Sequence, residues 1–312
     1  MNDFVVVAGA GGFIGGHLVN RLITEGYNVK AVDIKPLNEW HQIFDDAENI
    51  NLDLRDSDKS RKICQGINQV FNLAAIVGGA IYTDRNVTES LMSASININL
   101  LKSALKHGVH KYFFASSSSV YSGNSPFNEE DIISSTSQLG YGQEKRYSEL
   151  QLQSVKKDLQ ARVARFSNVY GIHMTWAEKK SHLPLDLCRK VILARGSKEV
   201  EIYGDGNQIR DFIYVDDCVE GILKIMDCNS SDPINLGYGE GNSVMDLIQT
   251  VRGFIDYDFG IRKNTTVPTG HKEKVLDISL LKQITGWQPT VRLEEGMQNL
   301  YDWTDHKMRD YR

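Results

Sequence analysis

Short β-branched or aromatic runs alternate with helical patterns through the first half of the chain. The runs are Phe4 to Ala8, Asn28 to Asp33, Ile50 to Leu54, Gln69 to Ala74, Lys111 to Ser116 and Ala161 to Phe166. This alternation predicts an α/β fold in which a doubly wound parallel sheet is covered by helices on both faces. After Gly171 the pattern loosens into a loop-rich stretch holding Trp176, His182 and Pro184, followed by a helix and a strand at Val200 to Tyr203. Asp211 to Met226 reads as a short strand and an amphipathic helix, Pro233 to Leu236 as a further strand, and Gly237 to Arg312 as helical around an extended piece near Arg262 to Val267. The expected division is a larger parallel-sheet domain over 1–170 plus about 208–236, and a smaller α/β lobe over 171–207 plus about 237–312. A cleft between the two is the natural place for a ligand.

Composition narrows the function. At 312 residues and 41% hydrophobic content the chain can bury a large core. Its net charge of -5, from 35 basic and 40 acidic residues without a basic block, speaks against nucleic acid as a partner. The four cysteines, Cys64, Cys188, Cys218 and Cys228, lie far apart without metal-ligand spacing, so no metal site is expected and a reducing, cytoplasmic setting fits. No stretch approaches the roughly 20 apolar residues of a membrane span.

The first chemical signal follows the first strand: Gly9-Ala10-Gly11-Gly12-Phe13-Ile14-Gly15, then a helical pattern to Glu25. Glycines where a strand turns into a helix permit a tight turn at Gly9, backbone approach to a pyrophosphate at Gly12 and close packing at Gly15. The expected sheet is therefore Rossmann-type. Asp33 closes the second strand about 18 residues after Gly15, where a carboxylate accepts hydrogen bonds from both adenosine ribose hydroxyls and repels a 2′-phosphate. NAD is thus favoured over NADP, with Lys35 nearby as the opposing feature. Asp53-Leu54 either meets the adenine or, equally on spacing, caps a turn.

The second signal is Tyr141 and Lys145, four residues apart on one helix face. An ammonium beside a phenol stabilises the phenolate, so Tyr141 can serve as a general base while Lys145 holds the nicotinamide ribose. Ser116-Ser117-Ser118-Ser119 leaves the fifth strand at its carboxyl end, where open α/β sheets place their ligands and where a serine can hydrogen-bond a sugar hydroxyl.

With these motifs the chain resembles the extended short-chain dehydrogenase/reductase family of NAD-dependent nucleotide-sugar epimerases and dehydratases over essentially its whole length. Leu73-Ala74-Ala75, Arg165 to Gly171, Gly204 to Phe212 and Thr285-Gly286-Trp287-Gln288-Pro289 carry the likeness further. The resemblance implies a cofactor site formed by Gly9, Gly12, Phe13, Ile14, Gly15, Asp33, Asp53, Leu54, Leu73, Ala74, Ala75, Tyr141 and Lys145. It implies catalysis by Tyr141, Lys145, Ser117 and Ser119. For the substrate it implies Asn168 and Arg210 on the diphosphate, with Gly79, Ser118, His182 and Tyr203 as further contacts. A second family arginine is replaced by Lys272 or Lys274, of which Lys272 is the one carried over.

The runs Leu73 to Gly79, Thr175-Trp176 and Cys188-Arg189-Lys190 are most similar to the branch that epimerises GDP-sugars at C3 and C5. That branch's acid/base cysteine falls on Ser119 and its partner lysine on Ala177, with Lys179, Lys180 or His182 as possible substitutes. A 4,6-dehydratase would carry Asp-Glu where this chain has Ser118-Ser119. The expected activity is therefore epimerisation of a nucleotide-diphosphate sugar, with a GDP-sugar favoured, through a 4-keto intermediate. The contrasting readings are 3,5-epimerisation with altered acid/base residues, reduction of a keto sugar, and non-catalytic binding of NAD and a nucleotide sugar. The resemblance also implies a homodimer built from the helix carrying Tyr141 and the one near Ser95 to His107.

Overall fold

The computed structural model describes residues 3–78, 86–131, 140–176, 182–196, 199–267 and 270–310. Seven parallel strands form the main sheet: β1 (Phe4–Ala8), β2 (Asn28–Asp33), β3 (Glu48–Asn51), β4 (Gln69–Asn72), β5 (Lys111–Ser117), β6 (Gln160–Phe166) and β10 (Ile234–Leu236). Their spatial order is β10-β6-β5-β4-β1-β2-β3, so the winding reverses between β1 and β4. A ligand cleft is expected beyond the carboxyl ends of the strands at that switch.

The buried run of β1 shows why the sheet is covered twice. Val5 and Val7 pack into one core with α1 (Phe13–Thr24) and α6 (Val215–Asp227), while Val6 and Ala8 join the opposite core. That opposite core is closed by α2 (Ser57–Ser60), α3 (Val87–His107) and α4 (Tyr141–Ser154). Successive strand side chains point to opposite faces, so consecutive apolar residues require two covers.

A third core belongs to the second lobe, built on α5 (Leu183–Leu193), α7 (Val244–Arg252) and α9 (Leu293–Asp310). It includes two small sheets. One is a parallel pair, β8 (Glu199–Tyr203) with β12 (Gly260–Asn264). The other centres on β9 (Ile209–Tyr214), which pairs with β7 (Asn168–Tyr170), β11 (Gly241–Ser243) and β13 (Glu273–Lys274).

The chain crosses between cores more often than the expected division has it. Strand β9 lies in the second sheet although α6 and β10, which both follow it in the same segment, return to the first lobe. Its residues alternate, Phe212 and Tyr214 entering the substrate-lobe core and Ile213 the main one. Beyond residue 237, α8 (Ser279–Thr285) sends Leu281 into the main core.

Two strands end earlier than their hydrophobic runs. After β3, Asp53 turns the chain by accepting the Arg55 backbone N–H, at 2.9 Å. After β4, Asn72 does the same for the Ala74 N–H, at 3.2 Å. Among the described residues no helix is long and apolar enough to cross a membrane, and no cluster of three or more His, Cys, Asp or Glu is arranged to hold a metal ion.

Candidate active site

The carboxyl ends of β1 through β6 open on one cavity of about 840 Å³, which reaches across to the substrate lobe. That is toward the upper end of the roughly 300–1,000 Å³ usual for small-molecule sites. The glycine turn forms its floor. Gly9 adopts φ 83°, a left-handed conformation that suits glycine, and its N–H is held by the Val32 carbonyl at 2.8 Å. Any Cβ on Gly15 would collide with the Gly9 carbonyl, so the helix can start this close to the strand only without one. Gly12 caps α1, whose first turn presents its N–H groups to the cavity end.

Asp33, Asp53, Leu54, Leu73, Ala74 and Ala75 line the same cavity beside this turn. Asp33 is 8% exposed and already accepts the Lys35 N–H at 3.0 Å, which fixes its direction. The Lys35 ammonium is folded back onto the Gly11 carbonyl at 3.0 Å, so its charge is partly engaged in holding the turn. Asp53 is gripped by the Arg55 guanidinium at 2.7 to 3.1 Å, which holds its carboxyl below the usual range. The turn and the cavity wall are therefore both roles of Asp53. A glycine cradle at a helix start with a fixed carboxylate at the next strand fits NAD. Replacing Asp33 by Ala is expected to weaken NAD by about ten- to a hundredfold, the value of one charge-assisted hydrogen bond, and to leave NADP nearly unchanged. Titration calorimetry on cofactor-stripped protein measures both.

Across the switch point stand Tyr141 and Lys145, on the first turn and a half of α4, facing the ends of β5 and β6. Lys145 is 3% exposed. Its ammonium lies 5.6 Å from the centroid of the Tyr141 ring, 4.8 Å from that of Phe114 and 3.6 Å from the Glu144 carboxylate. The four serines divide their tasks. The Ser116 hydroxyl donates to Glu149 at 2.6 Å, while the Ser117 hydroxyl oxygen accepts the Ser119 N–H at 3.1 Å. Ser118 and Ser119 continue in a short 3₁₀ turn, Ser118–Val120, at the cavity wall. The Ser119 hydroxyl oxygen accepts a hydrogen bond from the Lys274 ammonium at 3.1 Å.

On the substrate-lobe side the cavity is lined by Asn168, His182, Arg210, His271 and Lys274. Asn168 donates to the Asp211 carbonyl at 3.0 Å, tying β7 to β9. Asp211 is fully buried, and burial pushes its carboxyl up to about 6 against three backbone N–H donors, those of Tyr238, Gly239 and Leu276. It gathers the loops that complete this wall.

In the β9/β13 ladder Arg210 stands directly opposite Lys274. Like charges opposite each other on adjacent strands repel. Burial and then Arg210 lower Lys274 to about 8, burial lowers Arg210, and burial and then Lys274 and Arg210 lower His271. An anion such as a diphosphate relieves all three.

Two expected contacts are corrected. Lys272 is exposed and outside the cavity, because β13 pairs so that Lys274 faces Arg210 while Lys272 precedes the strand and only lends its carbonyl to Ile209. Tyr203, 43% exposed, also lies outside it, with its ring under the Lys190 ammonium at 4.7 Å. Gly79, Ala177, Lys179 and Lys180 fall outside the described residues. The sequence reading passed over Lys274 as a site residue and the buried Glu149–Arg165 pair beneath the serines; the Arg165 motif was noticed only as a likeness.

Comparison with known proteins agrees with this geometry. The profile of the NAD dependent epimerase/dehydratase family matches residues 5–237. GDP-mannose 3,5-epimerase 1 of Oryza sativa subsp. japonica is 32% identical over 308 residues, covering 96% of this chain and 81% of that protein. UDP-glucose 4-epimerase of Thermotoga maritima, solved with UDP-glucose, superposes with a TM-score of 0.86 at 26% identity, over 98% of this chain and 99% of that one. UDP-glucuronic acid 4-epimerase of Bacillus cereus, solved with UDP-glucuronic acid and NAD, gives 0.84 at 25% identity, over 97% and 99%. With its glycine turn, its tyrosine–lysine pair and its doubly wound sheet, the chain belongs to the NAD-dependent epimerase/dehydratase family, and its cofactor is NAD.

Proposed function

We propose that this protein is a nucleotide-sugar epimerase that works through a ketone at C4 of the hexose, with a GDP-sugar as substrate. The observation that carries the reading is convergence: Tyr141, Lys145 and Ser117 line the same cavity as the glycine turn and Asp33. Held by the glycine turn, Asp33 and Lys145, NAD would supply a reversible hydride acceptor for C4. Everything else falls to side chains. Tyr141 takes the C4 hydroxyl proton, Lys145 offsets the phenolate charge, and the Ser117 hydroxyl orients the same oxygen. Arg210, Lys274 and His271 receive the diphosphate. Return of the hydrogen to the other face of C4 inverts that centre without a further acid or base.

Ser118 and Ser119 supply no carboxyl pair to expel a hydroxyl, which argues against dehydration. Likeness to plant enzymes named for GDP-mannose supports the choice of nucleotide. The test uses GDP-mannose labelled with deuterium at C4, beside UDP-, dTDP- and ADP-sugars. Appearance of product whose C4 label has visited the nicotinamide supports the reading. Failure of every nucleotide to yield product or reduced nicotinamide overturns it and leaves a binding protein.

The reading includes a homodimer. Leu91 and Met92 on α3 and Tyr147 and Leu150 on α4 are 43 to 52% exposed, on two helices that pack side by side. Joining this face to its copy makes a four-helix interface. Leu150→Arg is expected to convert dimer to monomer in light scattering; a wild-type protein that is already monomeric removes the proposal.

A further inference from the structure

We infer that His41 is a positioning residue for the reaction: it ties the turn that holds NAD to the Met174–Thr175 wall of the cavity, and so fixes where the sugar stands against the nicotinamide. The inference rests on the C4-ketone reading above and names a residue outside the cavity on which that chemistry depends.

The link runs through one residue. The His41 backbone N–H donates to the Gly11 carbonyl of the glycine turn at 3.2 Å, and the Trp40 ring before it lies so close over Gly11 that a Cβ there would stand 2.6 Å from it. The His41 ring reaches the other way, across the chain: its Nδ1 donates to the His173 carbonyl at 2.9 Å. A carbonyl can only accept, so the proton of this contact sits on Nδ1. Burial and then the Lys35 charge push the imidazole down to about 4, which keeps it a neutral Nδ1–H donor near pH 7. One carbonyl earlier, His17 on α1 does the same through Nε2, donating to Ile172 at 3.1 Å. Two imidazoles of the NAD-binding lobe thus hold consecutive carbonyls of the segment that crosses into the second lobe.

Those carbonyls place the cavity wall. Met174 and Thr175, which follow His173 directly, both line the cavity. His173 itself has φ 60°, a left-handed backbone that a residue other than glycine keeps only where its surroundings hold it. Its ring is wedged between those of His17 and Trp303, with centroids 5.7 and 5.6 Å away. A carbonyl released from His41 therefore relaxes by turning the peptide that leads into Met174 and Thr175, while the ring stays. Transfer of hydrogen between two bound molecules falls steeply with misplacement, a shift of about 1 Å costing roughly 10²-fold. The NAD turn keeps its own contact, because the backbone N–H on Gly11 does not depend on the side chain at residue 41.

Asparagine and leucine separate this role from packing. Asn carries an N–H donor as many bonds from the backbone as the imidazole Nδ1, whereas Leu has the same branched shape and no donor. GDP-mannose carrying deuterium at C4 is mixed at saturating concentration with NAD-loaded wild type, His41→Leu and His41→Asn, and single-turnover transfer of the label is timed; titration calorimetry on cofactor-stripped protein reads NAD affinity. The expected result is transfer slowed at least about tenfold in His41→Leu with NAD affinity within about threefold of wild type, and a His41→Asn rate restored to within about threefold. A His41→Leu protein that transfers the label at the wild-type rate, or a His41→Asn protein as slow as His41→Leu, overturns the inference. So does a His41→Leu protein that no longer binds NAD, since the residue would then support the turn alone. Wild-type protein that leaves the C4 label in place overturns the C4-ketone reading, and this inference with it.

Discussion

Tyr141→Phe is expected to bind NAD and a GDP-sugar about as tightly as the wild type and to lose turnover by roughly 10²- to 10⁴-fold, the range for removing a positioned acid/base group. The substitution deletes one oxygen at the cavity surface and keeps the ring that lies 5.6 Å from the Lys145 ammonium. It is the cleaner of the two obvious changes. Lys145→Met removes more than the cofactor contact, because Glu144 is 2% exposed and its Oε2 has no hydrogen-bond partner among the described residues, with the Lys145 ammonium 3.6 Å away. Without that ammonium a buried carboxylate is left uncompensated, so lost activity would mix with lost stability. For Tyr141→Phe the two separate: isothermal titration reports affinity, single-turnover label transfer reports the chemical step. A variant that still moves the C4 label at the wild-type rate would show that the phenol is not the base.

How far the sequence carried this picture depended on the range of the signal. Strands β1 and β2 have the bounds their apolar runs predict, since burial on both faces is written in consecutive residues. Ends set by side chains were harder, as Asp53 and Asn72 show by capturing a backbone N–H two residues on. Strand β7 begins two residues after β6 ends, yet it belongs to another sheet; a three-residue strand with no intervening loop has no periodicity that marks the change.

The glycine turn and Asp33 side of the cavity was legible because it is a local motif on a strand–turn–helix, whereas the cluster of Arg210 with Lys274 was not. Lys272 and Lys274 are two apart and so share parity along an extended segment; only the long-range pairing of β13 with β9 brings Lys274 beside Arg210. That pairing links residues some sixty positions apart, and a local pattern holds no information about it.

The largest effect on stability is expected beneath the site. Glu149 is fully buried on α4, just over two turns beyond Tyr141, and its carboxylate accepts two hydrogen bonds from Arg165, each at 2.9 Å, one from Ser116 at 2.6 Å and one from the half-buried Arg146 at 3.1 Å. Arg165, itself 2% exposed, also donates to the Tyr121 hydroxyl at 2.8 Å, which passes a hydrogen bond of 2.6 Å to Asn235. The Glu149–Arg165 pair thereby fastens α4, the helix that carries Tyr141, to β5, β6 and β10.

Glu149→Ala leaves the Arg165 charge buried and unpaired, and a loss of about 3–5 kcal/mol is expected, read from the midpoint of a urea titration with an unchanged slope. The double substitution Glu149→Met with Arg165→Met removes both charges and fills the space with apolar groups of similar length, so most of that loss should be recovered. Recovery of stability need not restore turnover: Ser116 then loses its acceptor and α4 its fixed register on the sheet, which sets where Tyr141 meets Ser117. A stable double variant with full activity would show that packing alone places the helix. A single variant that loses under about 1 kcal/mol would show that the pair contributes little, contrary to the cost of stranding a buried guanidinium.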